Sequence, residues 1–325
     1  MTKENKIMHV LVVMEILPHH KPLLEQAAPE AEFTYSSIRE VTRTQIDSAD
    51  VIIGNAPAQL IAGTKRLRWL QLNSAGADGY TAPGILPEGC QLTNATGAYG
   101  LAISEHMLGS LLCLMKKLNL YMNNQHRHLW QDEGPITSIY GSKTLVVGYG
   151  NLGSEFALRM KALGSSVIGI RRNKTACPRE LDALYQMDAL EAQLPKADIV
   201  AACLPGTKET YHVFNERTFG LMKSGAYFLN VGRGTAVDAK ALADALNSGH
   251  LGGAAVDVTE PEPLPEDHSL WDAKNVLITP HISGQFHLEE TRRRIVAIAA
   301  ENLKAFTQGQ KLQNIVDFQT GYRKL

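Results

Sequence analysis

The chain has 325 residues, enough for two domains at about 150 residues each. Hydrophobic residues make up 44% and charged residues 20%, which excludes wholesale disorder. With 32 Lys+Arg against 33 Asp+Glu the formal net charge is -1, so no basic excess points to nucleic acid and no acidic tract points to a solvated tail.

The four cysteines, Cys90, Cys113, Cys177 and Cys203, lie far apart and none forms a CxxC pair. That pattern suits free thiols in a reducing compartment better than a disulfide frame or a zinc site. The apolar run Ile7–Leu17 after Lys6 resembles a signal-peptide core, but His9 and Glu15 interrupt it and no small-residue cleavage site follows. It reads instead as a buried first strand. No apolar stretch approaches the roughly 18 residues of a membrane span. The expectation is a soluble, cytoplasmic protein with neither a nucleic-acid nor a membrane partner.

Short β-branched runs alternate with helical patterns along most of the chain. Candidate strands of a first series are Met8–Met14, Asp50–Gly54, Trp69–Asn73 and Gln91–Thr93. A second series reads Thr144–Gly148, Ser166–Ile170, Asp198–Leu204, Tyr227–Val231, Ala254–Val258 and Val276–Thr279. The helical stretches between them include Asn151–Leu163, Asn215–Met222 and Ala239–Leu246, with Asn215 and Asp238 placed as N-caps. Alternation with near-continuous apolar strands implies an α/β fold of parallel sheets covered on both faces. A long apolar helix, Ile103–Tyr121, separates the two series. A last helical pattern, Leu288–Phe306, has no strand of the second series left to serve and is free to return to the first domain.

The strand Thr144–Gly148 runs into Gly148-Tyr149-Gly150-Asn151-Leu152-Gly153 and then a helix. A lone GxGxxG is weak, but strand before, helix after and a second strand beyond are the context a dinucleotide requires. Gly148 permits the tight turn, Gly150 lets backbone approach a pyrophosphate, and Gly153 lets the helix pack on the strand. The helix N-terminus offers unpaired N–H groups to the phosphates. At the end of the next strand, where NAD-binding folds place a carboxylate for the ribose hydroxyls, this chain has Arg171 and Arg172. Guanidinium groups there suit a 2′-phosphate and so NADP, with NAD the alternative.

Three further segments follow strands of the same series: Asn230-Val231-Gly232-Arg233-Gly234-Thr235, the proline-rich turn from Asp257 to Pro265, and Thr279-Pro280-His281-Ile282-Ser283-Gly284. Ligands of open parallel sheets bind outside the carboxyl ends of the strands. An arginine and a histidine there, beside a dinucleotide turn, make an anion clamp and an acid/base group. Val231 and Asp257, at the same strand ends, join the expected cofactor contacts. Cys203 and Pro205 end another strand and read equally well as adenosine contacts or as plain packing. The His126/His128 pair lacks a third ligand cluster, so no metal is expected.

On the segments GYGNLG, LNVGRGTAVD, GGAAVDVTEPEPLP and NVLITPHISG, in this order, the sequence resembles the D-isomer-specific 2-hydroxyacid dehydrogenases from about residue 45 to about residue 308. The resemblance implies a central Rossmann domain (100–286), a discontinuous flavodoxin-like substrate domain (1–99 plus 287–325), a cleft active site and a homodimer. It assigns carboxylate binding to Arg233 and acid/base work to His281. The histidine's partner is then Glu262, the second glutamate of the EPEP turn, with Glu260 as the nearby decoy. The segment from Asn73 to Asp78 resembles the family's substrate loop, whose N–H groups at Ala75 and Gly76 would meet the substrate carboxylate.

These roles agree with the chemistry. Reducing a 2-oxo acid needs a hydride at the carbonyl carbon and a proton at its oxygen, and a carboxylate beside a histidine favours the imidazolium form that donates one. The expected activity is therefore NADP(H)-dependent reduction of a small 2-oxo acid of glyoxylate or hydroxypyruvate type. The alternatives are an NAD(H)-preferring dehydrogenase and a dinucleotide-sensing corepressor-like protein. The segment 54–61 contains no Lys or Arg to seat a phosphate, which disfavours phosphoglycerate, and the short stretch after the last helix leaves no room for a regulatory domain.

Overall fold

A computed structural model describes residues 7–323. In chain order the elements begin with β1 (His9–Val13), α1 (Lys21–Ala27), β2 (Glu32–Ser36), α2 (Arg43–Ser48), β3 (Val51–Ile53), α3 (Ala58–Ile61), β4 (Trp69–Gln71) and β5 (Gln91–Thr93). Next come α4 (Gly100–Met115), α5 (Leu118–His126), β6 (Lys143–Val147), α6 (Asn151–Ala162), β7 (Ser166–Ile170), β8 (Ala183–Tyr185), α7 (Leu190–Gln193) and β9 (Ile199–Ala202). The chain closes with α8 (Glu216–Leu221), β10 (Tyr227–Asn230), α9 (Ala239–Asn247), β11 (Gly253–Val256), β12 (Val276–Ile278) and α10 (Glu289–Thr307).

Two compact units emerge, one of Met1–Tyr99 with Phe286–Leu325 and one of Gly100–Gln285. The first unit holds a five-stranded sheet of order β2-β1-β3-β4-β5, the flavodoxin-like arrangement. Its strands are parallel, and its core gathers Leu11, Ile52, Leu70 and Leu92 from four of them. The last helix, α10, lies in this unit. Phe286 also belongs here, one residue earlier than the sequence division, and its carbonyl accepts from Arg292 Nε at 2.6 Å.

The second unit holds seven parallel strands in the order β12-β11-β10-β9-β6-β7-β8. The order reverses at β6, with β7 on one side and β9 on the other, which makes the end of β6 the topological switch point. One face of this sheet is packed by Phe214, Phe219 and Phe228 among aliphatic side chains. On the other, α4 and α6 supply Met107, Leu111, Phe156 and Met160. Phe228 is fully buried, with ring centroids 4.8 Å from Phe214 and 5.2 Å from Phe219. We expect Phe228→Ala to cost about 3–5 kcal/mol of unfolding free energy, read from a urea titration. A loss below about 1 kcal/mol would mean that the aromatic cluster closes over the cavity.

Side-chain caps open three of the helices, α2, α8 and α9. Asn215 caps α8 by accepting from Arg217 N and Thr218 N, and the Asp238 side chain caps α9 through Ala241 N at 3.0 Å. Three features depart from the sequence reading. The apolar stretch Ile103–Tyr121 is not one helix: Lys117 takes φ +56 between α4 and α5. There Lys116 Nζ reaches Thr137 O at 2.7 Å and Lys117 Nζ reaches Glu133 O, so contacts with the following loop stop a helix that the apolar pattern would have continued. Strands β2 and β8 were not anticipated. Each is an edge strand with no fully buried residue, so neither carries a strong apolar signature.

Candidate active site

The glycine turn follows β6 and opens α6. Gly148 has φ +97, and a Cβ there would lie 2.5 Å from Cys203 O, so both conformation and space demand glycine. At Gly153 a Cβ would meet Gly148 O at 2.5 Å and Val146 Cγ1 at 2.9 Å, because α6 presses on β6 there. Gly150 differs: a Cβ on it would find nothing within 4 Å. It is the N-cap of α6, and no side chain caps that helix. An uncapped twelve-residue helix starting at open glycine backbone is a fit cradle for a pyrophosphate. Tyr149, read from sequence as a cofactor contact, turns its ring inward instead. It is buried against Gly169, and its hydroxyl donates to Glu180 Oε1 at 2.6 Å. Burial and then that carboxylate hold its phenol well above the usual range. Leu152 packs partly into the core beside it.

Arg171 follows β7. Its N–H donates to Tyr185 O at 3.0 Å and its Nη1 lies 3.3 Å from Thr175 Oγ1. Arg172 is exposed beside it. Among the described residues neither takes part in an ion pair, so no carboxylate occupies the position where a ribose-binding acid would stand.

Strands β10, β11 and β12 are neighbours, so the segments carrying Arg233, Glu262 and His281 leave one edge of one sheet together. Buried Asn230 shapes the first: its Oδ1 accepts from Gly232 N and its Nδ2 donates to Arg233 O, both at 3.2 Å. Gly234 is forced by contact, since a Cβ would stand 1.8 Å from Thr259 O. Arg233 Nη1 donates to Gly232 O at 3.0 Å. Val231 N–H bonds Ala202 O at 3.2 Å, and Cys203 N–H bonds Val147 O at 2.8 Å, so the ends of β6, β9 and β10 are stitched together. Pro205 lies half-buried just beyond. Burial pushes the Cys203 thiol up to about 12, which keeps it protonated.

His281 Nδ1 lies 2.7 Å from Glu262 Oε1, with the two side chains 47% and 44% exposed. Glu260 points to another partner, His212 Nε2, at 2.9 Å. His281 itself has φ +52, a left-handed conformation that costs a non-glycine residue about 1 kcal/mol or more. What holds it there is Asp257. The carbonyl of Asp257 accepts from His281 N at 2.8 Å. Its buried carboxylate accepts from Thr279 Oγ1 at 2.6 Å, Ile282 N at 2.9 Å, Ser283 N at 3.0 Å and Ser283 Oγ. Four donors fill the acceptor capacity of a carboxylate, so Asp257 fastens the histidine turn with the side chain that sequence reading gave to the cofactor. His106, on α4, adds Nε2 at 3.2 Å from Thr279 Oγ1. Sequence reading did not single out Asn230, Ser283 or His106. A buried polar residue closing an apolar strand was the available signal for Asn230.

In the first unit, the loop after β4 carries Ala75 and Gly76. Asn55 Nδ2 bonds Ser74 Oγ at 3.0 Å, Ser74 Oγ bonds Gly76 O at 2.6 Å, and Asn94 Nδ2 bonds Ala75 O at 2.7 Å. With their carbonyls held, the N–H groups of Ala75 and Gly76 have no protein acceptor among the described residues. Two adjacent unpaired N–H groups are suited to an anion.

Comparison with known proteins gives the same picture. The family profile "D-isomer specific 2-hydroxyacid dehydrogenase, NAD binding domain" matches residues 108–283. A glyoxylate reductase of Aeropyrum pernix is 31% identical over 330 residues, 95% of each chain. A solved D-isomer specific 2-hydroxyacid dehydrogenase family protein of Aeromonas salmonicida aligns at 33% identity and TM-score 0.84 over 96% of this chain and 99% of that one. The NADPH-dependent glyoxylate/hydroxypyruvate reductase of Sinorhizobium meliloti, solved with NADP and sulfate, aligns at 25% identity and TM-score 0.81 over 97% and 100%. No helix among the described residues is long and apolar enough to cross a membrane. The two sheets, the profile match and relatives of this identity and coverage leave one assignment: the chain belongs to the D-isomer specific 2-hydroxyacid dehydrogenase family, NAD(P)-dependent enzymes acting on the CH–OH group of their donors.

Proposed function

We propose that this chain is a cytoplasmic, homodimeric, NADP(H)-dependent reductase of small 2-oxo acids of the glyoxylate and hydroxypyruvate type. The observation that carries the reading is the His281–Glu262 pair at 2.7 Å, on the same sheet edge as Arg233 and the glycine turn. The cofactor supplies a hydride to the carbonyl carbon when bound. Gly148, Gly150, Asn151 and Gly153 cradle its pyrophosphate, Arg171 and Arg172 take the 2′-phosphate, and Val231, Cys203 and Pro205 border it. Arg233 binds the substrate carboxylate in bidentate fashion and polarises the carbonyl. The N–H groups of Ala75 and Gly76, in the first unit, are suited to an anion. His281 gives its proton to the developing alkoxide, and in the oxidative direction the neutral ring takes the hydroxyl proton back. Glu262 positions the imidazole and balances its charge. Asp257 holds the turn. Residues 1–99 with 287–325 form the substrate domain, and 100–286 the nucleotide domain.

The test is NADPH oxidation against a panel of 2-oxo acids, with NADH in parallel. Turnover of glyoxylate or hydroxypyruvate with NADPH supports the reading, and activity with neither cofactor overturns it. Arg233→Lys keeps the charge but loses the planar fork. One lost charge-assisted bond, about 1.5–3 kcal/mol, predicts a roughly ten- to hundredfold fall in kcat/KM with higher substrate KM. A lysine variant with wild-type kinetics would make Arg233 structural. The homodimer is proposed on the fully exposed Trp130 and the largely exposed Tyr140 of the nucleotide unit. Sedimentation is expected to give a dimer, and Trp130→Asp a shift toward monomer.

A further inference from the structure

The loop after β1 carries one tight turn, Pro18–His20, which sets two histidines side by side. His20 is only 3% exposed, and its Nδ1 is buried with no hydrogen-bond partner. A buried polar atom without a partner is disfavoured, so a ligand at this ring would be stabilising. The His19 ring lies 4.2 Å from it, centroid to centroid, at 64°. His19 Nε2 stands 3.1 Å from Oε1 of Glu289, the first residue of α10, 270 positions along the chain. One nitrogen from each histidine and one carboxylate oxygen all lie within 4.8 Å of one another.

We propose that His19, His20 and Glu289 hold one divalent transition-metal ion of the zinc class. Zinc binds imidazole nitrogen at about 2.0–2.1 Å and carboxylate oxygen at about 2.0–2.2 Å, so tetrahedral ligands stand about 3.3–3.5 Å apart. The His19–Glu289 pair, in hydrogen-bond contact at 3.1 Å, stands slightly inside that spacing, and side-chain rotations would open it to an ion and bring in His20. Two imidazoles with one carboxylate favour zinc, nickel or copper over magnesium and calcium, which prefer oxygen alone. His19 and Glu289 are exposed, which leaves the fourth position open to water. Burial, and then the neighbouring His19, push the His20 imidazole below its ordinary range, while Glu289 opposes them. Two cations face it, but each is engaged elsewhere. Arg293 is bound bidentate by Glu290 at 2.7 and 2.8 Å. Arg292 donates to Phe286 O and lies 3.7 Å from Glu15. The ion would take one His20 nitrogen as a ligand and fasten the β1 loop to the start of α10 within one unit. The sequence reading expected no metal after weighing only the His126/His128 pair; His19 and His20 are not singled out there, and Glu289 lies 270 positions from His19.

The experiment uses the full, tag-free chain, stripped with chelator and titrated with Co²⁺ and then Zn²⁺. We expect one equivalent of Co²⁺ with visible ligand-field bands, displacement by Zn²⁺, and a melting temperature that rises with Zn²⁺. His19→Asn and Glu289→Gln, both at exposed positions, should each weaken binding by about tenfold or more, since loss of even an outer-shell partner costs that much. They should also abolish the thermal shift. His20→Gln should do the same where it folds. Binding of less than one equivalent to the wild type overturns the proposal, as does unchanged binding in the double variant His19→Asn/Glu289→Gln.

Discussion

His281→Ala is expected to lower kcat for reduction by roughly 10²–10⁴-fold, the usual worth of a positioned proton donor. NADPH binding should stay within about twofold of wild type, because the glycine turn and Arg171 are built on β6, α6 and β7 and not on the histidine turn. Stopped-flow turnover with fluorescence titration of NADPH reads both quantities. Glu262→Gln keeps a hydrogen bond 2.7 Å from the ring but removes its charge. The difference between charge-assisted and neutral bonds is about 1 kcal/mol, which predicts a kcat loss of about fivefold to tenfold with little change in KM. Glu260→Gln, which touches His212 instead, should leave kcat near wild type. A kcat in His281→Ala within tenfold of wild type would remove the histidine from proton transfer.

Cofactor choice is the second large effect. One or two charge-assisted contacts from Arg171 and Arg172 to a 2′-phosphate, at about 1.5–3 kcal/mol each, predict a ten- to several-hundredfold preference for NADPH in kcat/KM. Arg171→Asp replaces attraction with repulsion and should narrow or reverse that preference, with the adjacent Arg172 compensating in part. Added salt should weaken the preference, since Arg172 is exposed and its contact is screened. Side-by-side kcat/KM for NADPH and NADH decides the matter. Equal values, or a preference for NADH, would reduce the two arginines to a solvated strand end.

The sequence by itself determined the features that rest on neighbours along the chain. Alternating apolar runs marked ten of the strands, because a strand buried on both faces must be apolar at every position. Asn215 and Asp238 were legible as caps, since a cap acts within three residues. The GxGxxG turn was legible because its steric demands fall on glycines at fixed spacing. Tertiary structure decided what depends on distant partners. The break at Lys117 follows contacts with residues 133 and 137, and the inward turn of Tyr149 follows its bond to Glu180. Asp257 spends its carboxylate on Thr279, Ile282 and Ser283, a use that no local pattern around it announces. The return of α10 to the first unit, and with it the meeting of Glu289 with His19, spans almost the whole chain. Periodicity and capping act over a few residues and leave a mark in the sequence, whereas contacts made only when the sheets assemble leave none in either segment alone.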